Sequence, residues 1–489
     1  MTSTPPGTPP EDQGPAARRG GRTHDWRHAM RSEFSDWQLW WARAVVVALA
    51  VVSGLVIVGF TALAEYAADQ FARMRSLGWW TPLVWTPLVA AAIVWCTRRF
   101  APGAAGSGIP QVMAALEVGE QPAARGLFVS LRLSLAKILL TAGGLLGGLS
   151  LGREGLSVQI AAGVMLQARR LVPDQRRIHV HGMLVAGGAA GIAAAFNTPL
   201  AGVMFAIEEL ARAPEQRNSG LIITAIVLAG LVAVSVYGNA TYFGVIRVVH
   251  LDLALLLPGL ALTVLAGVAG GLFSRLLIAS LRGLGRDPMS RLRARRPVVF
   301  AAVCGLAVAL IGLVTGGATF GSGYESTRAM VEGSGVMHVA YAPFKFLATW
   351  LSTWSGVPAG IFAPSLAIGA ALGNDVALLA FHTQVPALIA LGMVGFLAAA
   401  TQAPLTAFII VMEMVNGHAM VLSLMSCALV ASFHLAPDQP AAVPDSGTPA
   451  AGTRPRARPG NAVALSAGRA ASPTGRSPVC LLHGLARRL

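Results

Sequence analysis

The feature that most constrains this chain is a succession of apolar runs between about Arg43 and Phe433, several long enough to cross a bilayer alone. "LSLAKILLTAGGLLGGL" and "GMLVAGGAAGIAAAFNTPLAGVMFAI" are two of them, and Gly, Pro, Ser and Thr punctuate their ends. That punctuation belongs to helix termini, and the strict alternation that a transmembrane barrel needs is missing. Composition agrees. Of 489 residues 54% are hydrophobic and 12% charged, against about 25% charged in soluble domains. The sequence predicts an all-α polytopic membrane protein.

A formal net charge of +15 could point to nucleic acid, but its placement argues otherwise. Basic residues gather in the N-terminal segment (Arg18, Arg19, Arg22, Arg27, Arg31) and in the short stretches "ARRLVPDQRR" and "RGLGRDPMSRLRARR". Short basic loops between apolar runs follow the positive-inside rule. They predict cytoplasmic loops and a cytoplasmic N-terminus in a multi-pass protein of the cell's inner (plasma) membrane, with lipid rather than nucleic acid as its surroundings. Residues 1–42 have no apolar core behind their basic residues, so they do not read as a secretory signal. They have the composition of a disordered arm, and residues 437–489 that of a low-complexity Pro/Ala/Gly/Arg tail. One membrane domain is expected between them, over 43–436. Cys96, Cys304, Cys427 and Cys480 show no CxxC spacing, so no metal site, cofactor or disulfide framework is predicted.

Within that domain the chain repeats itself. "AAAFNTPLAGVMFAIEEL" (193–210) matches "AAATQAPLTAFIIVMEMV" (398–415), which pairs Pro199 with Pro404 and Glu208 with Glu413 at an offset of 205. The same offset pairs Gly187 with Gly392 and Gly155 with Gly360, and "GSGIP" (106–110) has a weaker echo in "GSGYE" (321–325). The halves run over about 43–245 and 250–436. Internal repeats on this scale mark transporter folds, whose binding sites lie near the bilayer midplane where the halves meet.

The repeat also points to sites. "GREGL" (152–156) and "GIFAP" (360–364) are Gly-rich breaks, each followed by a helical run. Broken helices survive at membrane depth only where protein or water satisfies the freed backbone. Their first-turn N–H groups and dipoles make a weak anion site, from which a permeant ion can leave again. Glu154 sits at one such start. A charged side chain at the bilayer centre costs about 2.5–3.5 kcal/mol on insertion scales. Neighbouring Arg153 cannot offset that directly, because adjacent helical residues point apart. Arg153 reads as half of an ion pair with another helix. Glu154 reads as a carboxylate that fills an anion site when ionised and vacates it when protonated.

At these residues a resemblance emerges. "GSGIP" (Gly106, Ser107, Gly108, Ile109, Pro110), "GREGL" (Gly152, Arg153, Glu154, Gly155, Leu156) and "GIFAP" (Gly360, Ile361, Phe362, Ala363, Pro364) resemble the three signature motifs of the CLC chloride channels and chloride/proton antiporters. Their order and separations are similar too, and the likeness extends over nearly the whole membrane domain. The resemblance implies inverted halves of tilted, half-crossing helices in a homodimer with one pore per subunit. The implied cargo is chloride and protons, with no cofactor. It implies that the Ser107 hydroxyl and the Ile361 and Phe362 amides hold a central anion, and serine is the residue of the chloride-preferring members. A plain helix cap gives Ser107 the same geometry without a ligand. Glu154 matches the gating glutamate, and Glu209 matches the inner proton-transfer glutamate of the exchangers. A solvated glutamate at a helix end, near Arg212, is the simpler reading of Glu209. Lys137 and Lys345 occupy apolar stretches where the family carries basic residues, either raising the potential along the pathway or snorkelling out of it.

Two positions depart from the family pattern. Leu156 stands where proline is usual. More consequentially, the family places a tyrosine after its last membrane helix, against the anion, whereas the last tyrosine here is Tyr341. An altered reading frame or a truncated family C-terminus would explain the tail. The expected function is chloride/proton exchange, with a chloride channel lacking obligatory coupling as the alternative. An intramembrane hydrolase is disfavoured: no HExxH is present, and His179 and His181 in "RRIHVHG" have no carboxylate at ligand spacing.

Overall fold

The computed structural model describes residues 37–433, except 119–124, 173–178, 212–218, 239–240, 247–254, 283–287, 335–336 and 381–383. Most of the N-terminal arm, the 437–489 tail and Arg212 lie outside these residues, and so does the stretch where the family's tyrosine would fall. Among the described residues the structure is helical, with no strand beyond one isolated bridge.

Two series of eight helices carry the architecture. The first comprises α1 (Trp37–Ser76), α2 (Thr81–Phe100), α3 (Ile109–Val118), α4 (Leu131–Leu146), α5 (Glu154–Met165), α6 (Val180–Phe196), α7 (Pro199–Phe205) and α8 (Ser219–Tyr237). The second comprises α9 (Leu256–Arg282), α10 (Pro297–Val314), α11 (Tyr324–Val331), α12 (Tyr341–Trp354), α13 (Phe362–Leu379), α14 (Val385–Thr401), α15 (Pro404–Met414) and α16 (Val421–Phe433). Two short helices, Ala168–Leu171 and Pro288–Arg295, fall outside the pattern. Six helices (α1, α2, α8, α9, α10 and α13) are long and apolar enough to cross a membrane. Others are half-crossing: the 10 residues of α3 and the 12 of α5 span about 15 and 18 Å, against a hydrocarbon core of about 30 Å.

The apolar helices sort by what surrounds them. Leu131, Leu135 and Leu139 of α4, and Ile223, Val227 and Leu231 of α8, recur every fourth residue yet are exposed. In water such a stripe would face a core; here it faces outward. The ends of α1 carry exposed Trp37, Trp40 and Trp41, and Trp79 and Trp80 follow its C-terminus, as residues of the two interfaces do. The helix therefore begins six residues ahead of the Arg43 boundary read from the sequence. By contrast α6 and α14 are apolar all round and buried almost throughout, the mark of a core helix.

The repeat is the organising symmetry. Both α6 and α14 end on a left-handed residue, Asn197 (φ 58°) and Gln402 (φ 61°), whose N–H caps the carbonyl of Ala193 or Ala398. Pro199 and Pro404 then open α7 and α15. Gly187 brings α6 against α5, where an added Cβ would lie 2.8 Å from the Ala162 Cα. Gly392 brings α14 against α13, with a Cβ 2.2 Å from the Gly369 carbonyl oxygen. Small residues of this kind let membrane helices approach closely. One pairing needs correction. The partner of Gly360 is Gly152, not Gly155, since α5 and α13 begin two residues after these glycines. The offset is 208 in this region because the stretch from the start of α5 to the start of α6 is three residues longer than that from the start of α13 to the start of α14.

The seam between the halves is closed by reciprocal caps. The Glu208 carboxylate, on the π-helical turn Ala206–Ala211 that follows α7, accepts the Leu405 and Thr406 N–H groups of α15 at 3.0 and 2.6 Å. Glu413 near the end of α15 accepts the Leu200 and Ala201 N–H groups of α7 at 3.3 and 2.8 Å. Each helix thus satisfies the orphan donors of the other. Replacing either Glu208 or Glu413 by alanine is expected to lower stability by about 1 kcal/mol, the usual worth of an N-terminal cap. Thermal unfolding of the purified protein in detergent, read against wild type, checks this.

Candidate anion site

The site is assembled from the ends of broken helices. Gly152 and Gly360 form an antiparallel bridge, exchanging N–H···O bonds of 2.8 and 3.1 Å. This places the N-termini of α5 and α13 side by side. Arg153 and Ile361 occupy matching N-cap positions with nearly identical backbone angles (φ −108° and −109°), and neither caps with its side chain. The first-turn amides of both helices therefore await an acceptor.

The "GSGIP" loop closes a third side by opening α3. Gly106 (φ 85°) and Gly108 (φ 103°) are both left-handed, a region that favours glycine. A Cβ on Gly108 would also lie 2.5 Å from the Gly155 carbonyl oxygen. The Ser107 carbonyl lies 3.0 Å from where a Gly155 Cβ would stand. The three motifs picked out in the sequence therefore meet. The symmetric loop in the second half has the same form, with Gly321 (φ 66°) and Gly323 (φ 86°) ahead of α11. Leu156 is fully buried, and α5 is continuous through it without the family's proline.

Glu154 lies in this cradle. Its side chain has no solvent exposure. Its Oε2 accepts the Arg153 N–H at 2.9 Å and the Ala363 N–H of the opposite half at 3.4 Å. An ionised carboxylate accepting backbone N–H groups makes charge-assisted bonds that its protonated form cannot match. The group thus occupies a place that suits an anion. Its other oxygen, Oε1, has no hydrogen-bond partner.

Arg153 turns the two ends of its fork away from Glu154, with its Nε 4.0 Å from the Glu154 Oε1. Its Nη1 pairs with the Glu65 carboxylate of α1 at 2.9 Å, and its Nη2 donates to the Tyr242 hydroxyl at 3.0 Å. This is the ion pair with another helix that the sequence anticipates. Tyr242 also joins an aromatic cluster with Phe196 and Tyr324, and Phe196 in turn packs on Phe362 of "GIFAP". Glu209 stands apart from the three motifs, half-buried on the π-helical turn; π segments are frequent at functional sites.

The two lysines are fully buried rather than snorkelled. Lys137 donates to the side-chain oxygen of Gln159 on α5, and Lys345 donates to the Thr319 and Gly321 carbonyls at 3.0 and 2.8 Å. Each is thereby tied to a broken-helix element of its own half. Sequence reasoning missed Glu65, Gln159 and Tyr242. Glu65 alone carried a signal, an acid within a long apolar helix, and the rule that singled out Glu154 applies to it equally.

Residues 88–435 match the family model described as "Voltage gated chloride channel". Among solved structures, a slow cyanobacterial Cl⁻/H⁺ antiporter is 24% identical with a TM-score of 0.68, over 81% of this chain and 94% of that one. A CLC-type fluoride/proton antiporter is 21% identical with a TM-score of 0.68, over 80% and 94%. A eukaryotic CLC transporter is 23% identical with a TM-score of 0.65, over 81% and 72%. The family match spans most of the membrane region and contains all three motifs, and the fold is that of the similar structures. The chain belongs to the CLC, or voltage-gated chloride channel, family.

Proposed function

We propose that this protein exchanges chloride for protons across the plasma membrane, with Glu154 as the gate shared by both ions. The observation that carries this reading is the fully buried Glu154 carboxylate, held by amides from both halves where the α5 and α13 N-termini converge. While ionised, it blocks the anion path by acting as the anion. Protonation removes the charge that these N–H groups bind, the side chain leaves, and chloride takes its place on the same donors. The Ser107 hydroxyl and the Ile361 and Phe362 amides then hold chloride deeper in the path, as the family resemblance implies.

Glu209 supplies the inner end of the proton route in this reading. It follows the capping Glu208 directly, so one carboxylate closes the seam while its neighbour serves the proton. The protein works as a homodimer with one pore per subunit and a cytoplasmic N-terminus, in keeping with its basic loops. The similar cyanobacterial structure is of a Cl⁻/H⁺ antiporter, which favours exchange. The alternative is a chloride channel with the same gate. It draws on the chain's lack of any tyrosine after Tyr341 to close the path from inside.

Reconstituted protein under a chloride gradient, with voltage clamped by a potassium ionophore, is expected to move protons uphill. Chloride flux without proton movement would establish the channel reading, and no chloride flux would remove both. Glu154→Gln is expected to abolish proton movement and to flatten the rise of chloride flux with external acid. Glu209→Gln is expected to abolish proton movement while chloride flux persists, measured in the same vesicles with a pH electrode and a chloride electrode.

A further inference from the structure

The chemistry around Arg153 has a second carboxylate that the gate reading leaves unused. Glu65 on α1 takes the Arg153 Nη1 at 2.9 Å. The Thr61 carbonyl accepts Nη1 at 3.4 Å, and the Tyr242 hydroxyl accepts Nη2 at 3.0 Å. These contacts draw the guanidinium to one side. Its Nε is left 4.0 Å from the Glu154 Oε1, and both of those buried atoms lack a hydrogen-bond partner. A donor and an acceptor that complement each other therefore stand just beyond bonding distance. The residue holding them apart is the only one of the three carrying a charge that a substitution can remove without touching the site. Glu65 is also more than half exposed, whereas Arg153 and Glu154 are buried.

We propose that Glu65 is a positioning residue for the gate: by engaging the Arg153 fork it withholds the guanidinium from Glu154 and so sets how readily Glu154 takes up a proton. This rests on the reading of Glu154 as the gate. With Glu65 neutralised, the guanidinium turns onto Glu154, whose ionised form gains a charge-assisted bond. Losing the Glu65 charge acts in the same direction, because one negative neighbour is removed. Both effects favour the ionised, closed gate, so more acid is needed to open it.

The other ionisable groups nearby do not reproduce this arrangement. Tyr237 at the end of α8 donates its hydroxyl to the Val58 carbonyl, and Tyr242 and Tyr324 meet edge to face. On α4, Lys137 is bonded to Gln159, further along α5. Glu117 of α3 and Asp375 of α13 lie toward the opposite ends of their helices from the motif residues, and His181 lies at the opposite end of α6 from Phe196, which packs on Phe362.

The test is chloride efflux from vesicles holding the purified full chain, measured over a series of external pH values at fixed internal pH. In E65Q the pH of half-maximal flux is expected to fall by about 1 unit, the scale on which a close arginine shifts a carboxylate. In R153Q it is expected to rise, and adding E65Q to R153Q should move the midpoint by much less than E65Q moves it in the wild type, since only the direct charge effect of Glu65 is then left. If R153Q does not assemble, R153M carries the same comparison, because it removes the same charge. A merely structural Glu65 would lower the maximal flux and leave the midpoint in place, and that result overturns the proposal. An equal shift on the wild-type and R153Q backgrounds also overturns it, since Glu65 would then act without Arg153. E154Q separates the two readings. A flat pH profile there with an unmoved E65Q midpoint removes only the role of Glu65, whereas a persisting profile in E154Q removes the gate itself.

Discussion

A lipid bilayer offers no hydrogen-bond partner to a broken helix, and most of this structure follows from that constraint. A chain that builds its site from helix ends must satisfy those ends with its own atoms. Three solutions recur across the interface between the halves. Gly152 and Gly360 exchange backbone bonds, Glu208 and Glu413 cap the opposite short helices, and Glu154 takes amides from both α5 and α13. In the proposed mechanism only the last is exchanged for a mobile anion. The first two hold the halves together, and the third leaves a place where function is possible.

Symmetry makes this arrangement economical. A helix end that needs an acceptor meets its repeat-related counterpart, which needs one too, and a carboxylate or a bridge placed once in the repeat serves twice. Where the repeat is broken, the site becomes specific. Position 154 is glutamate on α5 and its counterpart on α13 is Phe362, so a single carboxylate serves a cradle lined by two helix starts. Charge and aromatic ring sit at equivalent positions, one able to answer protons and the other packed on Phe196.

Much of the fold was legible in the residues. Apolar runs gave the helices, Gly-Ser-Gly and Pro signals gave their ends, and the 205-residue offset identified the pair α6–α7 with α14–α15. The register of α5 against α13 was not legible. Gly155 and Gly360 match at the same offset by composition, but the first half takes three more residues from the start of α5 to the start of α6 than the second takes from α13 to α14, which moves the true partner to Gly152. Glycine-rich sequence cannot reveal such a slip, since a glycine fits either register. At the site, Glu154 was identifiable as a charge in an apolar run and "GIFAP" as a Gly-rich break, whereas Ser107, Ile361 and Phe362 were singled out by the family resemblance. Gln159 and Tyr242 were not, since a glutamine or tyrosine within an apolar helix or loop has many possible partners.

What the sequence determined by itself is the set of local facts: which segments must be helical, where they must break, and which two adjacent residues carry charge where charge is costly. Those follow from backbone preferences and burial energies that act within a few residues. The tertiary structure decided which broken ends face each other, and so which amides reach Glu154, which carboxylate holds Arg153, and that the two lysines are buried rather than snorkelled. The Arg153–Glu65 and Glu154–Ala363 contacts join residues 88 and 209 positions apart. Their geometry depends on how whole helices pack, a property of the assembled chain and not of any stretch of it.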